Sequence, residues 1–259
     1  MRILLVRHAE SEGNGDEAQY ALKGDVNISI TPKGCVQAVA AGDFLSSYYK
    51  NTQTKNWPHI YLSSYRRPQE TFRGIYEQLK EQFPGTPRLK EDVRLIEKSF
   101  GGINFYEQAV HEGNICPRAV QAIQWLHEKT RLKDQFTVAY PFGESQLSTH
   151  SRVKDFIDGT LFHDVTNDAQ QDDFLVVTHG AIIQAFVMAW FHLPMNSKAT
   201  LGNPNNCNVL AIEKEGESWQ ARTLYDGQEM KALHDVNPIS EIKHITVDTL
   251  PPLPHPVTK

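Results

Sequence analysis

Cysteine is scarce. Cys35, Cys116 and Cys207 are scattered along 259 residues and form no CxxC pair. That excludes a disulfide framework, and the odd number fits a reducing compartment. Positive charge is not in excess either. The formal net charge is −5, so the chain carries no basic footprint for nucleic acid. Long hydrophobic runs are missing. The longest, Ala181 to Leu193, is interrupted by Gln184 and His192 and has the length of a buried helix rather than a membrane span. No secretory leader is visible, because the first apolar stretch starts at Arg2. A cytoplasmic protein without membrane attachment is expected. The histidines contain no HxH or HExxH pattern, so no metal site is expected and a metallohydrolase is the weaker alternative.

What is present suits a globular enzyme. Hydrophobic residues make up 40% and charged residues 22% of the chain, ordinary values for a packed domain. The length suits one domain with an insertion. Ile3 to Val6 reads as a buried strand that ends in Arg7-His8. Ser11 to Gly24 reads as loop. Thr31-Pro32 starts a helix running to about Tyr49, with Val36, Val39, Ala40, Phe44 and Leu45 expected inside. His59 to Ser63 is a second strand, and Ser64 is placed to cap a helix with Phe72, Ile75, Tyr76, Leu79 and Phe83 on its apolar face. Arg88 to Leu95 reads as a third strand, followed by a turn at Gly101-Gly102. Helices are expected at Pro117 to Lys129 (Val120, Ile123, Trp125 and Leu126 inward) and at Ser145 to Phe162. Phe174 to Val177 is a fourth strand ending in Thr178-His179-Gly180. Val209 to Ile212 and Trp219 to Leu224 make a late pair. Strands alternating with helices predict a three-layer α/β/α sandwich with a mostly parallel sheet. A helical insertion at about 103–142 is expected over the strand ends, with Tyr106, Tyr140 and Phe142 as candidate pocket residues. A Pro-rich extension is expected from about residue 229.

Four positions carry chemistry. His8 and His179 end strands, Arg67 starts a helix, and Glu97 follows the third strand. The C-terminal ends of parallel strands share one edge, so these side chains can converge. Two His, two Arg (Arg7 and Arg67) and one acid suit phosphoryl transfer. Planar guanidiniums match a phosphate dianion. A neutral imidazole can attack phosphorus and carry it. The helix opening at Gly180 aims free N–H groups at the same anion. Glu97 can protonate a leaving oxygen and later take a proton from water.

Several segments together resemble the histidine phosphatase superfamily, which includes the cofactor-dependent phosphoglycerate mutases. RHAESEGN resembles its RHG-type signature, and ITPKGCVQA its LTxxGxxQA helix start. SSYRRPQET resembles its SxxxRxxQT block, whose spacing to Thr71 selects Arg67 over Arg66. IEKSFGG and VVTHG resemble its acid and second-His blocks, and FGES a segment seen in many members. The resemblance implies a phosphoglycerate mutase-like fold, a phosphohistidine formed on His8, and a phosphoryl group held by Arg7, Arg67 and His179. It implies Glu97 as general acid/base, Asn14 on the phosphate loop, and Gly24 where mutases contact substrate through a backbone amide. It implies no metal and no cofactor. Ala9 replaces the usual Gly, and Phe100 stands where mutases carry a Tyr. The mutase block that grips a carboxylated substrate is not recognisable. These departures favour a phosphatase for a phosphorylated small molecule or phosphoprotein. A phosphomutase is the alternative, and a non-catalytic phospho-ligand module is a third class. Oligomeric state stays open, with a homodimer among the options.

Overall fold

The computed structural model describes residues 1–102, 109–110, 112–134, 136–139, 141–167, 173–194 and 197–233. Seven strands form one sheet in the order β3-β2-β4-β1-β5-β6-β7. They are β1 (Arg2–Arg7), β2 (His59–Leu62), β3 (Leu89–Glu91), β4 (Asp173–Thr178), β5 (Val209–Glu215), β6 (Ser218–Asp226) and β7 (Lys231–Ala232). The first four pair in parallel, and the last three continue the sheet in antiparallel pairing.

The pleat divides the core. Leu4, Val6, Ile60, Leu62, Leu175 and Val177 face one side, where they pack on α1 (Pro32–Asn51) and α2 (Arg66–Leu79). Ile3, Leu5, Tyr61, Phe174 and Val176 face the other. There they meet α4 (Gln146–Phe156) and α5 (Gly180–Trp190). Between these in chain order lies α3 (Pro117–Lys133). Each fully buried aliphatic side chain contributes about 1.5–3 kcal/mol, and β4 is buried along its whole length. The result is the expected α/β/α sandwich. Among the described residues no helix is long and apolar enough to cross a membrane.

Several local expectations are corrected. Helix α1 starts as expected, with the Thr31 hydroxyl accepting the Gly34 N–H at 3.0 Å. Leu45 is buried as expected and Ala40 and Phe44 pack partly against the core, but Ala38, Ala41 and Tyr49 share the buried face while Val36 and Val39 are exposed. The reason is close helix packing: a Cβ built on Gly74 of α2 would lie 2.7 Å from the Ala38 Cβ. Small residues let α1 and α2 approach, and the larger valines are turned out. In α3 the inward positions are Val120 and His127, and Trp125 and Leu126 are exposed. The segment Ser11 to Gly24 holds two short helices, Glu12–Gly15 and Ala18–Lys23. The third strand shortens to Leu89–Glu91, because Asp92 caps a 3₁₀ turn at Val93–Leu95 through the Arg94 N–H at 2.9 Å. Tyr65, not Ser64, precedes α2. The helix from Ser145 ends at Phe156, and a π-turn at Ile157–Leu161 leads into Phe162–Asn167. Lys231–Ala232 pairs with β6; the chain beyond residue 233, and Tyr106 and Tyr140, lie outside the described residues. Phe142 is exposed at positive φ.

Candidate active site

Strands β1, β4 and β2 end at one edge. Arg7 lies beside Thr178, and Val177 beside Leu62. The residues that follow are His8, His179 and Ser63, and all three are buried. The His8 N–H donates to the Thr178 carbonyl at 2.8 Å, and the Ser63 N–H to the Val177 carbonyl at 3.1 Å. The strand ladder itself thus fixes where the two imidazoles emerge. Their ring centroids are 5.1 Å apart, edge to face.

The orientation of His8 is determined. Its Nδ1 lies 2.8 Å from the Ala9 carbonyl oxygen. A carbonyl only accepts, so the ring proton is on Nδ1 and Nε2 carries the lone pair. Burial, reinforced by the charges of Arg67 and Arg7, holds His8 well below the ordinary imidazole range and keeps it neutral. The Arg67 Nε–H donates to Nε2 at 3.2 Å. Arg67 is itself buried. Its Nη1 donates to the Asp25 carbonyl and to Asp25 Oδ1, both at 2.7 Å. Among the described residues this leaves Nη2 as its unused donor group. The Tyr65 ring stacks on the guanidinium, 5.2 Å from its carbon.

Arg7 donates from Nη1 to the Pro204 carbonyl at 2.6 Å. Among the described residues the buried Arg7 Nε and His179 Nδ1 have no hydrogen-bond partner. Two such orphans in one place are costly unless an anion completes them. His179 Nε2 lies 2.9 Å from Ser63 Oγ, which also accepts the Tyr65 N–H at 3.3 Å. Burial, with Arg67, His8 and Arg7 adding to it, also holds His179 well below its usual range. Glu97 Oε2 faces His179 Nδ1 at 3.8 Å, while its Oε1 accepts the Lys98 N–H at 2.9 Å. Burial raises the Glu97 pKa against the pull of that N–H and of Arg67 and Arg7, with Asp25 adding to the rise. The site therefore holds a neutral imidazole whose Nε2 lone pair accepts only from Arg67 Nε among the described residues, two guanidiniums, and a carboxyl whose pKa burial raises.

The loop carrying Glu97 is held from below. Arg152 of α4 donates to the carbonyls of Arg94 and, at 3.2 Å, Glu97. Its Nε is 2.8 Å from Glu144 Oε1, and Glu144 Oε2 accepts the Ser99 N–H at 2.9 Å. Burial opposes the Glu144 charge, but the bonds from Arg152 and Ser99 outweigh it and its pKa is lowered. Glu144 is an ionised clamp. Glu144→Gln leaves the Arg152 guanidinium without its counter-charge. A loss of about 1–3 kcal/mol is expected, read in urea unfolding as a lower midpoint at unchanged slope.

The remaining expected residues are placed differently from one another. The Asn14 amide oxygen accepts from the Ser11 N–H (3.0 Å), the Ser11 hydroxyl (3.1 Å) and Asn206 Nδ2 (3.3 Å). The Gly24 N–H closes the helix Ala18–Lys23 by donating to the Tyr20 carbonyl at 3.0 Å, so in this structure that amide is already used. Gly180 opens α5, and a Cβ there would lie 2.2 Å from Asn203 Oδ1, so the Asn203 amide would have to move aside. Phe100 is half exposed. Sequence reasoning missed Ser63, Asp25, Arg152 and Asn206, whose Nδ2 also donates to the His8 carbonyl at 3.0 Å. Ser63 lies in the block that identified Arg67 and so had a signal. Asp25, Arg152 and Asn206 had none.

His8, Glu97 and His179 offer three potential metal-ligand atoms within 4.8 Å of one another. The charges argue against a cation there. Two guanidiniums already face His8, and both depress its protonation by the repulsion that a metal ion would meet.

The chain is 29% identical over 220 residues to a phosphoglycerate mutase-like protein of Arabidopsis thaliana. The match takes in 82% of this chain and 64% of that relative, so the chain spans less than two thirds of its length. A broad-range acid phosphatase of Saccharomyces cerevisiae is 24% identical, with 82% of this chain and 84% of the relative covered. Among solved structures, the alpha-ribazole phosphatase of Shigella flexneri has the same fold (TM-score 0.60, 18% identity, 86% of this chain and 95% of that one). So does a mycobacterial glucosyl-3-phosphoglycerate phosphatase with inorganic phosphate (TM-score 0.59, 19% identity, 86% and 94%). The profile of the histidine phosphatase superfamily (branch 1) matches residues 3–227. That is well over half of the chain, and the protein belongs to this superfamily.

Proposed function

We propose that the protein is a metal-independent phosphomonoesterase that works through a phosphohistidine on His8. The observation that carries this reading is the Nδ1–H bond of His8 to the Ala9 carbonyl, 2.8 Å, which aims a lone pair on Nε2 at a pocket with two guanidiniums. Phosphatases among the relatives and fold neighbours support the reaction class.

The phosphoryl group of the substrate enters between Arg7 Nε, Arg67 Nη2 and His179 Nδ1. With Tyr65 N–H donating to Ser63 Oγ, the hydroxyl proton is available to His179 Nε2, which places the ring proton on Nδ1. His179 then donates to a phosphoryl oxygen while staying neutral. His8 Nε2 attacks phosphorus, the ester P–O bond breaks, and Glu97 gives its proton to the departing oxygen. This leaves a phosphohistidine and a Glu97 carboxylate. Water attacks the phosphorus, Glu97 takes its proton, the P–N bond breaks, and inorganic phosphate leaves with His8 neutral again. The guanidiniums supply fixed charge where a metalloenzyme would use an ion.

Hydrolysis of an aryl phosphate is expected, undiminished after dialysis against EDTA. A large loss restored by one divalent ion would mean that His8, Glu97 and His179 hold a metal instead. Isomerisation of 3-phosphoglycerate, stimulated by a bisphosphoglycerate primer and faster than hydrolysis, would make the protein a mutase.

A further inference from the structure

Asp25 carries an acidic group into a pocket built for an anion. Gly24 precedes it at φ +74°, and the chain turns so that both the carbonyl and Oδ1 of Asp25 reach Arg67 Nη1. Oδ2 makes no hydrogen bond among the described residues. The Asp25 side chain is 32% exposed against 1% for Arg67, so the carboxylate is the solvent-facing member of the pair. Its charge reaches the phenols of Tyr20 and Tyr65 as well as Glu97. Burial pushes all three up, and Asp25 adds to each. In the phosphatase reading above Glu97 faces the leaving oxygen, and Asp25 is close enough to act on that carboxyl electrostatically.

The charges in the pocket can be tallied. Arg7 and Arg67 are cationic, Asp25 is anionic, and both imidazoles are held neutral. A phosphoryl dianion already outweighs the positive charge that remains. Among the described residues, Lys23 is paired with Glu12 at 2.8 Å, Arg66 with Glu70 at 2.6 Å, and Arg152 with Glu144 at 2.8 Å. Among the described residues, a second anionic group beside the ester would meet the Asp25 carboxylate, whose bonded cation, Arg67, is already engaged by Asp25 and by the phosphoryl group. A hydroxyl in its place would find Oδ2 as an open acceptor.

Building on the phosphatase reading above, we infer that Asp25 is a specificity-determining residue: it selects phosphate monoesters of uncharged, hydroxyl-bearing alcohols and rejects esters with a carboxylate or second phosphate next to the ester. The test uses two small esters of nearly the same shape, glycerol 3-phosphate and 3-phosphoglycerate, which differ by a hydroxymethyl group against a carboxylate. The wild-type ratio of kcat/KM is expected to favour glycerol 3-phosphate by about tenfold or more, the scale of one uncompensated charge contact near a protein surface. Asp25→Asn removes the charge and is expected to shrink that ratio by about tenfold, chiefly by improving 3-phosphoglycerate. Asp25→Glu keeps the charge and should keep the preference, which guards against a general disturbance of Arg67. Equal losses on both esters in Asp25→Asn would make Asp25 only a support for Arg67 and overturn the inference while leaving the phosphatase reading intact. A wild-type preference for 3-phosphoglycerate overturns it as well. No hydrolysis of these esters or of an aryl phosphate overturns the phosphatase reading and this inference with it.

Discussion

His8→Ala is expected to lose hydrolysis by on the order of 10⁵-fold or more, the scale seen when the nucleophile of a covalent mechanism is removed. The change takes away the one side chain whose Nε2 lone pair faces both guanidiniums. It removes little core, because His8 packs at the strand end rather than between the helices. The Ala9 carbonyl and Arg67 Nε lose a partner, at a cost of about 1–3 kcal/mol. Circular dichroism should therefore report an intact fold. Wild-type protein quenched during turnover of labelled ester should retain an acid-labile, base-stable label, and His8→Ala should retain none. Substantial residual turnover by the variant, with label still trapped elsewhere, would sink the phosphohistidine mechanism.

Much of the site was legible because its residues are placed by backbone features that sequence encodes locally. A short branched run ending in Arg7-His8 and a second ending in Thr178-His179 are strands by composition alone, and adjacency in the sheet does the rest. Arg67 follows from its spacing to Thr71, whose hydroxyl receives the Ala9 N–H at 2.9 Å and so ties α2 to the loop after His8. The parts that escaped are those set by tertiary contact. Asp25 is a polar residue in a turn until Arg67 comes to it from 42 positions away. Arg152 looks like a solvated helix residue until its guanidinium is found under the carbonyls of Arg94 and Glu97. The misread faces of α1 and α3 have the same origin. Hydrophobicity picks Val36 and Trp125 as inward, but small side chains at the α1–α2 contact and His127 in α3 take the buried positions. Propensity and pattern rank residues by their own chemistry, and packing ranks them by what lies opposite.

Glu97→Gln is expected to separate substrates by their leaving groups. Burial holds the carboxyl of Glu97 above its usual range, so in the wild type the proton is present at pH values where an ordinary glutamate has lost it. A general acid matters most when the departing oxygen is strongly basic. Glutamine keeps the size and a hydrogen bond but has no proton to give. For an alkyl phosphate, kcat/KM should fall by about 10²–10⁴-fold, the usual contribution of acid–base catalysis. For an aryl phosphate with an acidic phenol the same parameter should fall far less. The comparison must be made on kcat/KM, which reports phosphorylation of His8, because loss of the base would also slow the later attack of water. The pH profile gives a second readout. In the wild type the alkyl-ester rate should fall as pH rises through the elevated Glu97 pKa, since the active form is protonated; in Glu97→Gln that alkaline limb should vanish. His8 supplies the opposite limb, and its depressed pKa keeps the nucleophile neutral well into acid, so that limb should be unchanged. Equal losses on both esters, with the alkaline limb retained, would reduce Glu97 to a structural role. Glu144 cannot then take its place as the acid, because Arg152 and the Ser99 N–H hold it ionised, and the proton would have to come from the substrate or from water.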